Sequence, residues 1–420
     1  MTSKNRIDLN SFYDRHPSSI DEDMKKECYW MNNKHDGLFI DLFCGAGGLT
    51  LGLEQNGFKH ALSIDFDKDS IETYKFNRPN IDPKSILKDD IVNLTDNQWR
   101  DWSHLIGKID IIVGGPPCQG FSTANRRRLI DDPRNKLYKK FVQTVDIFKP
   151  KVVIMENVTG ILNKKNDIRK DFYKIGYFGD AIKLSAQAFG IPQNRVRVFF
   201  IMLSNDFRYD KQITLTAEIQ DRLNKLNALD SQYFLNDAIE DLPSIKANPE
   251  RNNTEFEDGT CGSYVLENND KTNNSYVKSI NSTDFSFPFI FNHKSLYHNE
   301  RDLDIYSRLP QGGDSTHESI ADIMPYTNRA HIFKDKFYKL KNDMICKAIT
   351  AHMKVDTHMY IHPTQARGLS PREAARVQSF PDSYIFKGSL RNWYKQIGNA
   401  VPPKLASIIA KAVKDIVLDA

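Results

Sequence analysis

The 420-residue chain has no two cysteines at C-x-x-C spacing; its five, Cys28, Cys44, Cys118, Cys261 and Cys346, are scattered. An odd, dispersed set offers neither a disulfide framework nor the ligand spacing of a zinc site, so no metal is expected. No apolar run approaches the roughly 18 residues that cross a bilayer. Residues 1–36 are polar and charged, without the apolar core of a signal peptide. We therefore expect a cytoplasmic protein with no membrane partner. A large charge excess is also missing: the net charge is +4, which by itself does not suggest nucleic acid. There is no internal repeat, and no complete G-x-G-x-x-G of a dinucleotide-binding turn.

Short apolar strands that end in chemically useful residues are present. The run Ile109 to Val113 passes through Gly114 and Gly115 into Pro116-Pro117-Cys118-Gln119. Prolines stiffen this turn, and a thiol at the carboxyl end of a buried strand lies where ligands of α/β sheets bind. Cys118 is thus a candidate nucleophile, the alternative being a buried structural cysteine. A second run, Val152 to Met155, ends in Glu156-Asn157-Val158 and places a carboxylate at the corresponding edge. A thiol and an acid at neighbouring strand ends suit covalent catalysis with proton transfer. A third, Leu38 to Phe43, enters Cys44-Gly45-Ala46-Gly47-Gly48 and then a helix, a turn that lets a nucleotide-bearing cofactor approach the backbone. Asp65 closes the next strand about 20 residues on, where an acid can bond ribose hydroxyls, and Phe66 follows it. Cys44 is read as packed beneath the turn.

From Leu38 to about Leu203, strands (Leu38–Phe43, Ala61–Asp65, Ile109–Val113, Val152–Met155, Val196–Met202) alternate with helical periodicity. That alternation predicts an α/β fold with a doubly wound parallel sheet. After Ser204 the chain becomes rich in Asn, Asp, Ser and Lys and reads as a smaller, irregular domain. Ser370-Pro371-Arg372-Glu373 then supplies an N-cap, a first-turn proline and a capping-box glutamate, so a helix is expected from Pro371. Leu405, Ile408, Ile409 and Val413 predict an amphipathic helix over 404–417 that returns to the first domain. The expected division is a polar extension at 1–36, a catalytic and cofactor-binding domain at 37–203 plus 391–420, and a recognition domain at 204–390.

Six ordered blocks carry a resemblance: Asp41 to Gly48, Pro116 to Ser122, Glu156 to Val158, Gln193 to Arg197, Arg372 to Asp382, and Gln396 to Pro403. Together they resemble the DNA cytosine-5 methyltransferase family, in its bacterial restriction-modification form. The resemblance implies a Rossmann-like sheet dependent on S-adenosylmethionine, with a smaller target-recognition domain. It implies that Cys118 adds to carbon 6 of a flipped-out cytosine, that Glu156 engages ring nitrogen 3, that Arg195 favours the thiolate, and that Arg197 reads the base with Glu156. Asn157 would hold the strand end in shape. The cofactor would lie against Phe43, Gly45, Ala46, Gly47, Gly48, Leu49, Asp65, Phe66, Asp90, Ile91, Pro116, Asn399 and Ala400. Double-stranded DNA would meet Gln119, Ser122 and the triplet Arg126, Arg127 and Arg128. That triplet is read as phosphate contacts, the alternative being a solvated loop tip. A partner restriction endonuclease acting on the same site is implied, without direct contact.

Two rival readings use the same scaffold. A tRNA-modifying branch of the family carries a Cys-Phe-Thr triplet in its recognition region, absent here because Cys261 is followed by Gly262 and Cys346 by Lys347. A non-catalytic DNA-binding homologue should have lost Cys118 or Glu156, and both are present.

Overall fold

The computed structural model describes residues 37–117, 135–207, 209–227, 233–251, 254–255, 259–267, 274–281, 289–325 and 336–418. The expected extension at 1–36 lies outside them, as do Cys118, Gln119, Ser122 and Arg126 to Arg128.

Strand β1 (Leu38–Leu42) leads through the glycine turn into helix α1 (Gly48–Glu54). β2 (Lys59–Asp65), α2 (Lys68–Phe76), the short β3 (Ile86–Lys88), α3 (Asp96–Ile106) and β4 (Ile111–Gly114) follow. The series continues with α4 (Asn135–Phe148), β5 (Val152–Asn157), α5 (Lys165–Lys174), β6 (Tyr177–Ser185), β7 (Gln193–Asn194) and β8 (Val196–Ser204). Seven of these strands form one sheet in the order β3-β2-β1-β4-β5-β8-β6.

Strand side chains alternate between faces, and the alternation sorts this sheet into two cores. Ile40, Leu42, Ile112, Val153, Met155 and Phe200 pack with Trp99, Phe141 and Phe172 of α3, α4 and α5. Phe39, Ile111, Val113, Ile154 and Phe199 face the other way. Each fully buried side chain of this size contributes roughly 1.5–3 kcal/mol, so both faces must be covered.

The expected parallel sheet requires one correction. β8 runs antiparallel to both β5 and β6, making the sheet mixed. An apolar run fixes burial but carries no direction. The reversal has a functional consequence, because Asn157 pairs with Val198 and the start of β8 therefore lies beside the end of β5. β3 and β6 were not expected; β6 mixes buried and half-buried positions at the sheet edge instead of forming a continuous apolar run.

The interval after Ser204 opens on a regular element, not an irregular one. Helix α6 (Tyr209–Asn227) places Leu215, Ile219 and Leu223 in the same core as Phe39 and Ile154. Beyond it come α7 (Leu235–Ile239), β9 (Gly262–Glu267), α8 (Ser275–Asn281), β10 (Phe289–Lys294), α9 (Glu300–Arg308) and β11 (Cys346–Lys347). β9 and β10 pair antiparallel, and β11 pairs parallel with β7. Helix α10 (Pro371–Val377) starts at the expected Ser370 capping box. Helix α11 (Leu390–Asn399) and helix α12 (Pro403–Val413) complete the chain, the latter followed by a wider turn over Lys414–Leu418.

α12 returns to α1 as expected, and closely: a Cβ on Gly52 would lie 2.4 Å from the Ala406 Cβ. A further core joins Leu235, Tyr276, Phe291, Ala375, Phe380 and Trp393 to Ala46 and Leu51 of the glycine-turn unit. Helix α10 buries Arg372, Glu373 and Arg376 completely. All three are partnered: Arg367 pairs with Glu373 and Arg376 with Asp382, each at 2.7 Å, and Arg372 donates to main-chain carbonyls. Among the described residues, no helix is long and apolar enough to cross a membrane.

Candidate active site

The turn after β1 is built on unusual backbone. Phe43, Gly45 and Gly47 have φ of 64°, 53° and 85°, a region that glycine enters freely and phenylalanine rarely. Cys44 N–H donates to Ile64 O at 3.1 Å, which ties the turn to β2. Asp65, at the end of β2, accepts the Gly45 N–H on one oxygen and the Asp67 N–H on the other, each at 2.8 Å. Burial raises the Asp65 pKa, and these two N–H groups oppose the rise. The carboxylate expected to meet a ribose therefore also holds its own chain. Cys44 is buried, as read, and burial pushes its thiol well above the ordinary range.

A cleft of about 220 Å³ opens beside this turn, lined by Phe43, Asp65, Phe66, Asp89, Asp90 and Ile91, with Ile64, Pro117 and Leu137 completing it. Phe66 is 61% exposed, a large apolar ring left open at the rim. Asp90 spends one oxygen on the Val92 N–H at 3.1 Å. Three carboxylates and no basic side chain line the cleft among the described residues. Such a lining repels a pyrophosphate and suits a cationic nucleoside with hydroxyls to donate.

Five residues expected against a cofactor (Phe43, Asp65, Phe66, Asp90 and Ile91) thus line one cleft. Gly45, Ala46, Gly47 and Gly48 shape the adjoining turn. Of the other expected residues, Leu49 is buried in the core under the sheet, Pro116 directly precedes the lining residue Pro117, Asn399 is exposed at the end of α11, and the Ala400 carbonyl is bonded to Arg195. Asp89, a lining residue, was missed although it directly precedes Asp90.

The second part of the site lies at the ends of β4 and β5. Arg197 Nε stands 3.0 Å from Glu156 Oε1, a contact made possible by the antiparallel entry of β8. Burial raises the Glu156 pKa, while Arg197 and then Arg195 oppose the rise. A Cβ on Gly115 would lie 3.1 Å from Glu156 Oε2, so this glycine keeps the acid's second oxygen clear. Asn157 Nδ2 donates to Pro116 O at 3.0 Å, tying the proline turn to β5. Cys118 follows Pro117 by one residue and lies outside the described residues.

Arg195 is held by main-chain carbonyls of distant segments. Its guanidinium donates to Ile349 O at 2.6 Å, Ala400 O at 2.8 Å and Gly398 O at 3.3 Å. Burial, and next the Arg197 charge, lower its pKa to about 9. Its fork thus ties β7 and β8 to two distant segments, while its charge remains within reach of Glu156. Gln193 adds to the same junction, with the Ile349 N–H at 3.2 Å and Gln378 Oε1 at 2.6 Å.

Residues 38–415 match the family described as C-5 cytosine-specific DNA methylase. The chain is 33% identical over 396 residues to the type II methyltransferase M.DdeI of Desulfomicrobium norvegicum, covering 89% of this chain and 88% of that protein. It is 31% identical over 383 residues to the type II methyltransferase M1.HphI of Haemophilus parahaemolyticus, covering 89% and 86%. Among solved structures, a putative DNA modification methyltransferase encoded within an E. coli prophage superposes with a TM-score of 0.68 at 25% identity, covering 90% of this chain and 99% of that one.

Proposed function

The chain belongs to the C-5 cytosine-specific DNA methylase family, and from that premise we propose that it methylates carbon 5 of a cytosine in a specific double-stranded DNA sequence, with S-adenosylmethionine as donor and Cys118 as nucleophile. The observation that carries the reading is the Glu156–Arg197 pair at 3.0 Å beside the proline turn that leads to Cys118. Burial raises the Glu156 pKa and so favours the acid form that can serve ring nitrogen 3, and the Arg197 guanidinium held against it fixes its orientation. Addition of a thiolate at carbon 6 makes carbon 5 nucleophilic, and a duplex cytosine must leave the stack to be reached.

The cleft chemistry fits S-adenosylmethionine, which when bound supplies the methyl group from its sulfonium. Phe66 would cover the adenine, Asp90 would meet its edge, and Asp65 would use its remaining lone pairs on the ribose. The sulfonium is a cation, matched to the three carboxylates. Sequence choice is assigned to the interval expected at 204–390, and the packing of α6 on the large sheet favours the part beyond residue 227. The relatives named type II methyltransferases support a role in protecting DNA from a partner restriction endonuclease.

The test is incubation of unmethylated plasmid with the protein and S-adenosylmethionine, followed by bisulfite sequencing. The reading requires protected cytosines at one recurrent sequence. Unmodified plasmid together with a methylated tRNA would overturn it.

A further inference from the structure

The glycine turn is held from two sides. On the cleft side, Asp65 takes the Gly45 N–H. On the other, side chains from distant parts of the chain reach its carbonyls: the Tyr384 hydroxyl donates to Ala46 O, and Arg78 Nη2 donates to Gly47 O at 3.3 Å. Arg78 Nη1 donates to the Tyr384 hydroxyl oxygen at 3.0 Å, which joins the two. Each is itself fixed. Arg78 makes a bidentate pair with Glu54 at 2.7 and 2.9 Å and lies 4.0 Å over the Tyr74 ring. The Tyr384 carbonyl accepts from Arg372 Nη2 at 2.6 Å, and Arg372 Nε donates to Phe291 O in β10 at 2.7 Å. The fit leaves no slack, since a Cβ on Gly47 would lie 2.8 Å from Arg78 Nη1 and 2.9 Å from the Tyr384 hydroxyl.

We propose that Tyr384 and Arg78 are positioning residues that brace the turn Cys44–Gly48 in its cofactor-binding shape, a proposal that rests on the cofactor reading above. Neither lines the cleft. Their effect comes through the backbone, because bends at glycine have many competing conformations. A site populated only in part binds with its affinity divided by the competent fraction. Tyr384→Phe keeps the ring but strips Ala46 O and Arg78 Nη1 of the hydroxyl between them. Two hydrogen bonds of ordinary net strength correspond to a roughly 30-fold loss of competent turn.

The experiment is calorimetric titration of the full-length protein with S-adenosylhomocysteine, with kcat and KM for S-adenosylmethionine measured on unmethylated plasmid. Tyr384→Phe should raise the dissociation constant and KM by roughly 30-fold with kcat at saturation unchanged. Arg78→Lys, which keeps a cation beside Glu54, should shift them in the same direction by less, and it serves as the test if Tyr384→Phe does not fold. The control is Tyr306→Phe, which deletes another buried hydroxyl, bonded to His298 and His358 in a core that does not include the turn. It should lower thermal stability without moving cofactor affinity. Wild-type affinity in both brace variants, with a loss of stability like that of Tyr306→Phe, would overturn the brace alone. A wild-type protein that itself does not bind S-adenosylhomocysteine would overturn the cofactor reading and the brace with it.

Discussion

Replacing Glu156 by Gln tests whether its carboxyl group does chemistry or only holds Arg197. The substitution keeps the shape and an acceptor oxygen for Arg197 Nε, now 3.0 Å from Glu156 Oε1. Arg197 also retains its bond to Val196 O at 2.8 Å. The arginine therefore should stay in place, and the fold should lose little. What disappears is the titratable proton. Positioned general acids contribute about 10²–10⁴-fold, or roughly 3–5 kcal/mol of barrier at 1.36 kcal/mol per decade, so kcat should fall by at least about 10²-fold. DNA affinity should change much less, because phosphate contacts dominate it. The pH profile provides an independent check. Burial raises the Glu156 pKa, so the acid form is present below that value and is lost as pH rises through it. Wild-type kcat should decline on that limb, and the residual activity of Glu156→Gln should not. Methyl incorporation into plasmid from labelled S-adenosylmethionine, measured across pH, gives both quantities. Turnover within threefold of wild type in Glu156→Gln would refute the argument.

Asp65→Asn turns an amide N–H toward one of the two main-chain N–H groups the carboxylate now accepts; loss of one charge-assisted bond of about 1.5–3 kcal/mol should weaken S-adenosylhomocysteine binding roughly 10- to 100-fold by calorimetry, with DNA binding unchanged. Gly398→Ala would put a Cβ 2.1 Å from the Thr350 carbonyl carbon, beside the Gly398 oxygen that Arg195 holds; overpacking against backbone should cost roughly 1–3 kcal/mol in urea unfolding. The buried His293, His298 and His362 have pKa values lowered by burial to about 4, 3 and 4. Because the folded values lie below the unfolded one of about 6.5, their contribution is complete above that pH and is lost as pH falls through the folded values. Stability should drop between roughly pH 6.5 and 3, and His293→Gln should flatten part of that slope.

Local signals in the chain were legible where one short segment sets its own structure. The capping box at Ser370 and Glu373, the glycine turn after β1, and the acid at the end of β5 each follow from a few adjacent residues. Features that depend on tertiary arrangement were not. The direction of β8 is set by its neighbours, and with it the meeting of Arg197 and Glu156. Arg195 is expected to supply positive charge near the thiol, but its carbonyl partners, 154 to 205 residues away, leave no local mark. Arg78 and Tyr384, 306 residues apart, carried no sequence mark at all. Helix α6 is a different case, because Leu215, Ile219 and Leu223 recur at four-residue spacing within a polar stretch. That signal was available and was masked by composition.

The central claim is a covalent bond between Cys118 and carbon 6 of the target cytosine. A duplex carrying 5-fluorocytosine at the methylated position, incubated with the protein and S-adenosylmethionine, tests it most directly, since fluorine cannot leave as a proton does. Wild-type protein should give an adduct that survives a denaturing gel, dependent on the methyl donor, and Cys118→Ala should give none. An undiminished adduct with Cys118→Ala, or no adduct with a wild-type protein that methylates the unfluorinated duplex, would contradict the account.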